Sequence, residues 1–396
     1  MGMKFRFLAY LLLPVSVLCM AACSGYHTAN STGTGILYVT AQANTTVSAY
    51  VVTQSSGALS NNGNSIGTGS VPSAMVLSPA ADALFVANSG SNSISSYTIN
   101  SGGSLTAAGT TTPTGKTPTG LAIDPGGKFL FAANQTSSDI SVFSISGTAL
   151  TQVPGSPFTT IPAGYSYPNG TLPAAVAVSR TGKFLYVANQ LANFVSVFSV
   201  NSTSGALTAL GVPFYNVGIA PSGVAVTPNG GFLYVANAGA NSNNISAFAI
   251  CDAVVTSCSN PNNPDGTLTP VAGSPFPAGL GPVAIAFDPG FNFAYVVDRG
   301  SNQISQYVYG PGSGVLTPLS PGTISTGLTP VSMAIVSGVI PTDVGNSLYN
   351  TTDYAYVANL GAGTISIFSL STTTGLLTVI GQPLVIFGQT SAVTGR

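Results

Sequence analysis

The candidate residues for chemistry are Asp298 and Arg299, two adjacent charged side chains that interrupt a repeated uncharged pattern. Charged residues make up only 4% of the chain. A carboxylate beside a guanidinium could supply a general base or metal ligand together with an anion-binding group. The same two residues could instead form an ion pair on the domain rim, which would add little stability. Both interpretations remain open from the sequence.

The remaining titratable residues are few and are poorly placed for catalysis. The chain has nine acidic residues, all Asp, and its single histidine is His27. Nucleophile elbows, zinc-binding helices and phosphate loops are missing from the sequence. We therefore predict no cofactor and no metal site. The formal net charge is −1, without a basic stripe, so we do not expect nucleic acid as a partner.

One phrase of apolar residues ending in a polar residue recurs seven times and predicts the elements that must position any site. Leu185-Tyr186-Val187-Ala188-Asn189 is typical, and it is followed by a polar turn and an alternating run such as Val195 to Val200. An apolar run precedes each hairpin after the first, and a Gly-x-Leu-Thr-like phrase follows it. Period-two alternation indicates half-buried strands, and four antiparallel strands in about 45 residues form one propeller blade.

The ends of the chain predict how this all-β, seven-bladed propeller closes. The first copy begins directly at its second strand, and Leu384 to Phe387 is an apolar run left over at the C-terminus. We expect this C-terminal strand to join the N-terminal blade, so that no sheet edge stays open. The predicted organisation is a signal peptide over 1–22, a tether over 23–35, the propeller over 36–390 and a C-terminal tail over 391–396.

The N-terminus has the layout of a lipoprotein export signal. Lys4 and Arg6 precede an apolar stretch from Phe7 to Leu18, and Ala-Ala then leads to Cys23. We expect Cys23 to be lipidated, although ordinary signal cleavage with Cys23 as a bystander is an alternative. The protein would then be an exported, membrane-anchored lipoprotein on the periplasmic side or the cell surface, with the outer membrane favoured.

Two cysteines, Cys251 and Cys258, are expected to form a disulfide, because export places a close pair in an oxidising compartment. The repeated asparagines could form a ligand-binding ring on one face. They could instead each cap a turn by local hydrogen bonds, and recurrence in most copies favours this structural role. The residues concerned are Asn88, Asn134, Asn189, Asn237 and Asn359.

The Tyr-Val-Ala-Asn phrases, the Ile-Ser-Val-Phe-like strands and the turn from Asp124 to Leu130 resemble the YVTN-repeat and lactonase family of seven-bladed propellers. The resemblance extends from Leu37 to Phe387 and implies the same fold. Catalytic members include bacterial 6-phosphogluconolactonases and a fungal muconate-lactonising enzyme, which uses a His, a Glu and arginines around the central cavity. This chain has no Glu, and its His lies in the tether.

These observations favour a binding or interaction module of the cell envelope, lacking the family's His and Glu set. The expected partners are the membrane, through the N-terminal lipid, and an envelope polysaccharide or protein, with the protein itself a monomer. The alternative is a lactone hydrolase for an uncharged lactone, with Asp298 and Arg299 in its site. A third possibility is a propeller stabilised by a metal ion on its axis.

Overall fold

Alternating apolar and small polar residues form strands throughout the computed structural model of this chain, which describes residues 19–20, 35–252, 265–337, 353–386 and 390–395. The strands form seven antiparallel sheets, which are the blades of a propeller, and the described residues contain no helix. The predicted fold class is confirmed. Because it holds no helices, the described part of the chain contains no helical segment that could cross a membrane.

The blades are numbered 1 to 7 in chain order of their second strands. The inner strands are, from blade 1 to blade 7, Thr390–Gly395, Pro72–Leu77, Pro118–Ile123, Pro173–Val178, Pro221–Val226, Pro282–Phe287 and Pro330–Val336. The second strands are Gly35–Ala41, Ala83–Asn88, Phe129–Asn134, Phe184–Asn189, Phe232–Asn237, Phe293–Asp298 and Asp353–Asn359. The third strands are Thr46–Val52, Ser93–Ile99, Asp139–Ser146, Phe194–Val200, Asn244–Ile250, Gln303–Tyr309 and Thr364–Leu370.

The outer strand is continuous in two blades and divided into two pieces in the other five. The continuous outer strands are Leu207–Asn216 in blade 4 and Leu316–Ser325 in blade 6. The divided outer strands are Leu59–Asn61 with Ile66–Gly67, Leu105–Ala107 with Thr112–Pro113, Ala149–Gln152 with Phe158–Thr159, Leu268–Pro270 with Phe276–Pro277, and Leu377–Val379 with Leu384–Val385.

The core lies between neighbouring blades, where sheets pack face to face. All seven second strands are buried along their whole length, because each is covered by a blade on either side. At their centres lies one fully buried aromatic ring per blade: Tyr38, Phe85, Phe131, Tyr186, Tyr234, Tyr295 and Tyr356. Four of the tyrosines also hydrogen-bond to the next blade, as when Tyr295 Oη donates to the carbonyl of Gly375 at 2.7 Å.

Ring closure uses a different C-terminal segment from the one predicted. Thr390–Gly395 pairs with Gly35–Ala41 and completes blade 1, whereas Leu384–Val385 pairs with Thr364–Leu370 in blade 7. The prediction that Leu384 to Phe387 closes the ring is therefore wrong, and residues 391–395 form a strand rather than a tail. The more apolar segment was misleading, because Val385 is 62% exposed while Val393 is fully buried.

Most of the predicted export signal, including Cys23, lies outside the described residues, as does most of the tether. The short strand Cys19–Met20 pairs in parallel with Pro118–Ile123, on the channel side of blade 3. Cys251 is buried at the end of the third strand of blade 5, and Cys258 lies outside the described residues. The disulfide between them, lipidation of Cys23 and export therefore remain predictions.

Candidate functional site

Every complete repeat builds the same corner at the face of the ring where inner strands begin and second strands end. In blades 2 to 7 the proline that starts the inner strand lies opposite the Asn or Asp that ends the second strand. The residue before the proline has a positive φ of 51–60° in each of these blades. Its carbonyl accepts a hydrogen bond from the backbone N–H of the residue after the Asn or Asp. This corner holds two side-chain positions at the same face.

We call these the pre-proline position, two residues before the proline, and the post-asparagine position, directly after the Asn or Asp. In blades 2 to 7 the pre-proline residues are Ser70, Lys116, Thr171, Ile219, Leu280 and Leu328. The post-asparagine residues are Ser89, Gln135, Gln190, Ala238, Arg299 and Leu360. Both positions are polar in blades 2 to 4, and in blades 5 to 7 they are apolar except for Arg299.

A pocket of about 550 Å³ opens at this face around blade 6. We call it the blade 6 pocket, and its walls include Ala238, Gly281, Val283, Arg299, Leu328 and Thr329. Its lining comes from three consecutive blades, because the corner of blade 6 lies between those of blades 5 and 7. Asn302 helps to hold this arrangement, since its Oδ1 accepts a hydrogen bond of 2.7 Å from the N–H of Thr329 in blade 7.

Of the described residues that line the pocket, Arg299 alone is charged. It is half-buried, and burial lowers the pKa of its guanidinium from the usual value. An arginine side chain nevertheless stays cationic at neutral pH. Within the described part of the chain the guanidinium has no carboxylate in ion-pair range. A half-buried guanidinium of this kind is suited to a carboxylate or carbonyl oxygen of a ligand.

Asp298 is adjacent to Arg299 in sequence, but its carboxylate lies inside blade 6 and does not line the pocket. Its Oδ2 accepts a hydrogen bond of 2.6 Å from Ser305 Oγ and one of 3.5 Å from Gln303 Nε2. Burial raises the pKa of Asp298 to about 6, although these hydrogen bonds act to lower it. The structure therefore separates the proposed base from the proposed anion binder.

The repeated asparagines are also fully buried within their blades. In each case Nδ2 donates a hydrogen bond of 2.9–3.0 Å to a serine hydroxyl on the third strand. The predicted role of capping the turn backbone therefore does not by itself describe these side chains. The pairs are Asn88 with Ser95, Asn134 with Ser141, Asn189 with Ser196, Asn237 with Ser246 and Asn359 with Ser366. Asn189 also donates to two nearby carbonyls, those of Val187 and Phe194. These side chains join the second and third strands and do not face a ligand.

The other ionised groups lie elsewhere in the fold. Asp124 and Asp288 accept backbone N–H groups in the turn between inner and second strands, as when Asp288 Oδ1 accepts from Phe293 at 2.6 Å. Lys183 contacts Asp252 at 3.7 Å and Asp265 at 3.2 Å. Among the described residues, no three His, Cys, Asp or Glu side chains come together as metal ligands.

Sequence reasoning found Arg299 but missed Leu328, which lines the pocket, and Leu280, its equivalent at the corner of blade 6. Leu280 and Leu328 occupy the same place in successive repeats, so a position-by-position comparison of the repeats would have revealed them. Their exposure could not be anticipated from the sequence, because it depends on how neighbouring blades pack in the folded ring.

The seven antiparallel sheets define the chain as a seven-bladed β-propeller. The family model described as "Lactonase, 7-bladed beta-propeller" matches residues 27–156 and 149–254, which is more than half of the chain. The protein therefore belongs to this lactonase family.

Individual relatives are distant. The chain is 30% identical to a 6-phosphogluconolactonase of Bacillus subtilis over 118 residues, which are 29% of this chain and 31% of that relative. The match thus spans less than a third of the relative's length.

Among solved structures, a candidate 6-phosphogluconolactonase from Bacteroides fragilis superposes with a TM-score of 0.73 at 19% identity, covering 93% of this chain and 100% of that one. A periplasmic gluconolactonase from Pseudomonas aeruginosa gives a TM-score of 0.70 at 19% identity, with coverages of 91% and 98%. At this level of identity the similarity extends to the fold alone.

Proposed function

We propose that this protein is a ligand-binding module of the cell envelope, in which the blade 6 pocket takes an anionic group of a small molecule on Arg299. The observation that carries this proposal is the composition of the pocket lining: among the described residues it holds one half-buried cation and no carboxylate, imidazole or thiol. The guanidinium can hold a carboxylate, but nothing in the described lining can take a proton from water.

The test of binding is calorimetric titration of the purified protein with short carboxylates such as butanoate and gluconate at pH 7.5. Binding should be lost, by at least tenfold in Kd, in Arg299→Gln. Lys116→Gln is the matched control, because Lys116 is an exposed cation at the same face in blade 3, outside the pocket. Equal binding by both variants would contradict the proposal.

The second candidate function is a lactone hydrolase, and membership of the lactonase family favours it. In that case Arg299 would polarise the lactone carbonyl, while Asp298 would have to reach the pocket from inside the blade to activate water. Hydrolysis of neutral and acidic lactones, followed in a pH-stat, separates the two functions. Turnover that disappears in Asp298→Asn would establish the hydrolase. No turnover, with carboxylate binding intact, would support the binding module.

Envelope localisation is part of the proposal and rests on the N-terminal sequence. Metabolic labelling with a radioactive fatty acid should mark the wild-type protein and not Cys23→Ala. Label that persists in the variant would contradict lipidation at this cysteine.

A further inference from the structure

We infer that the ligand of the blade 6 pocket is a small amphiphile, a carboxylate that carries an aliphatic chain. This inference rests on the proposed function, because it uses Arg299 as the binding group for the anionic head. The inference adds the chemical class of the ligand. The evidence for that class is a second surface of the protein.

The second surface is an aliphatic rim made of Ile219, Leu280 and Leu328, the pre-proline residues of blades 5, 6 and 7. These side chains are 46%, 58% and 60% exposed. Single exposed aliphatic residues are common on protein surfaces and need no explanation. Here, however, three occupy one equivalent position in three consecutive blades, and Leu328 also lines the pocket.

The rim is held in place by its backbone. Ile219 N–H donates to Ser242 Oγ at 2.6 Å, and Leu280 N–H donates to Ser301 Oγ at 3.1 Å. The carbonyl of Leu328 accepts from Gly361 N–H at 3.1 Å. These bonds fix the backbone of the corners, and the three side chains that the corners carry lie at the surface. A preorganised apolar surface of this kind binds an aliphatic chain at a low ordering cost.

In the opposite half of the same face, formed by blades 2 to 4, the corner positions are polar. Its pre-proline residues include the exposed Ser70 and Lys116, and two of its post-asparagine residues, Gln135 and Gln190, hydrogen-bond to each other at 3.1 Å. Those polar side chains suit a ligand made only of hydroxyl groups, whereas the three exposed pre-proline side chains of blades 5 to 7 are aliphatic. The combination of one cation and three aliphatic side chains in blades 5 to 7 matches an anionic head with an apolar tail.

The experiment is a chain-length series, butanoate to decanoate in two-carbon steps, titrated calorimetrically into the purified full-length protein at pH 7.5. Burial of a methylene group strengthens binding by up to about fourfold, and a half-exposed rim should give about twofold. We therefore expect Kd to fall by at least tenfold from butanoate to decanoate. In Ile219→Ser/Leu280→Ser, which changes two rim residues outside the pocket lining, this gain should disappear while butanoate binds as before.

Val379→Ser is the control, because Val379 is a 54% exposed aliphatic residue on the outer strand of blade 7, and its loss should leave the series unchanged. Circular dichroism confirms that each variant is folded.

Three results would overturn the inference. If Kd does not change with chain length while butanoate still binds, the ligand has no aliphatic tail, and the proposed function is unaffected. A gain with chain length that survives in the double serine variant would place the tail elsewhere. Dimerisation of the wild type that the double variant abolishes, measured by sedimentation, would make the rim an interface between copies. Failure of every carboxylate to bind would instead contradict the proposed function itself.

Discussion

Oδ2 of Asp298 accepts a 2.6 Å hydrogen bond from Oγ of Ser305, at the place where five other blades have an asparagine Nδ2 donating to the equivalent serine. The direction of the bond is therefore reversed in blade 6. A carboxylate accepts only, so Ser305 has to donate its hydroxyl proton. Because blade 6 has Asp in place of Asn, a carboxyl group is buried inside this blade. Burial there costs the ionised carboxylate much more free energy than the neutral carboxyl group.

Asp298→Asn should stabilise the protein at neutral pH. The folded-state pKa of about 6 lies above the unfolded value of about 3.9, so the wild type loses stability as pH rises between these values. Above pH 6 the full penalty applies, about 3 kcal/mol by the size of the shift. We expect the midpoint of thermal unfolding of Asp298→Asn to exceed that of the wild type at pH 7.5 and to equal it below pH 4.

The converse variant provides the control for this prediction. Asn359→Asp places a carboxyl group in the equivalent position of blade 7, where Asn359 is likewise fully buried. It should become less stable than the wild type as pH rises above 4. If both variants follow the pH dependence of the wild type, the explanation based on buried ionisation is wrong.

Tyr295→Phe should destabilise the protein, whereas Tyr186→Phe should not. Tyr295 Oη donates to the carbonyl of Gly375 in the next blade at 2.7 Å, while Tyr186 Oη is buried with no hydrogen-bond partner among the described residues. Loss of the first hydroxyl leaves a carbonyl unsatisfied and costs about 1–2 kcal/mol. Loss of the second removes an unsatisfied group.

Denaturant unfolding of the two variants measures this difference directly. The same ring position is occupied naturally by Phe85 and Phe131 in blades 2 and 3, so phenylalanine fits there. Equal losses of unfolding free energy in the two variants would show that the hydrogen bond between blades is not the cause.

Val393→Asp should prevent ring closure, and Val385→Asp should be tolerated. Val393 is fully buried in the inner strand of blade 1 and pairs with Val39, whereas Val385 is 62% exposed in the outer strand of blade 7. A charge buried without a partner costs several kcal/mol. Proteolytic sensitivity and yield of soluble protein report the result. The opposite ranking would restore Leu384 to Phe387 as the closing strand.

Cys251 and Cys258 should be oxidised in the exported protein. The bond would close a short loop, which corresponds to about 2 kcal/mol of stability in the chain-entropy treatment. Mass spectrometry after alkylation, with and without reduction, detects the bond. Addition of alkylating reagent to both cysteines without reduction would show that they are free thiols.

The sequence was sufficient for the architecture because the repeated phrase carries the strand pattern in every blade. Alternation with period two decides which side chains face inward, and seven copies can form a ring in which every blade is covered by a neighbour on both faces. The polar break at Asp298 and Arg299 was also visible in the sequence, since it departs from a pattern repeated elsewhere.

Tertiary structure alone decided which segment closes the ring and which of these two side chains faces the pocket. Thr390–Gly395 is less apolar than Leu384 to Phe387, yet it is buried because blades 2 and 7 cover it, a contact between residues distant in sequence. The second strand of blade 6 ends at Asp298, whose side chain lies inside the blade, whereas Arg299 follows in the turn and lines the pocket. The three side chains of the aliphatic rim likewise come to the same face of the ring only because blades 5, 6 and 7 are neighbours in the folded protein.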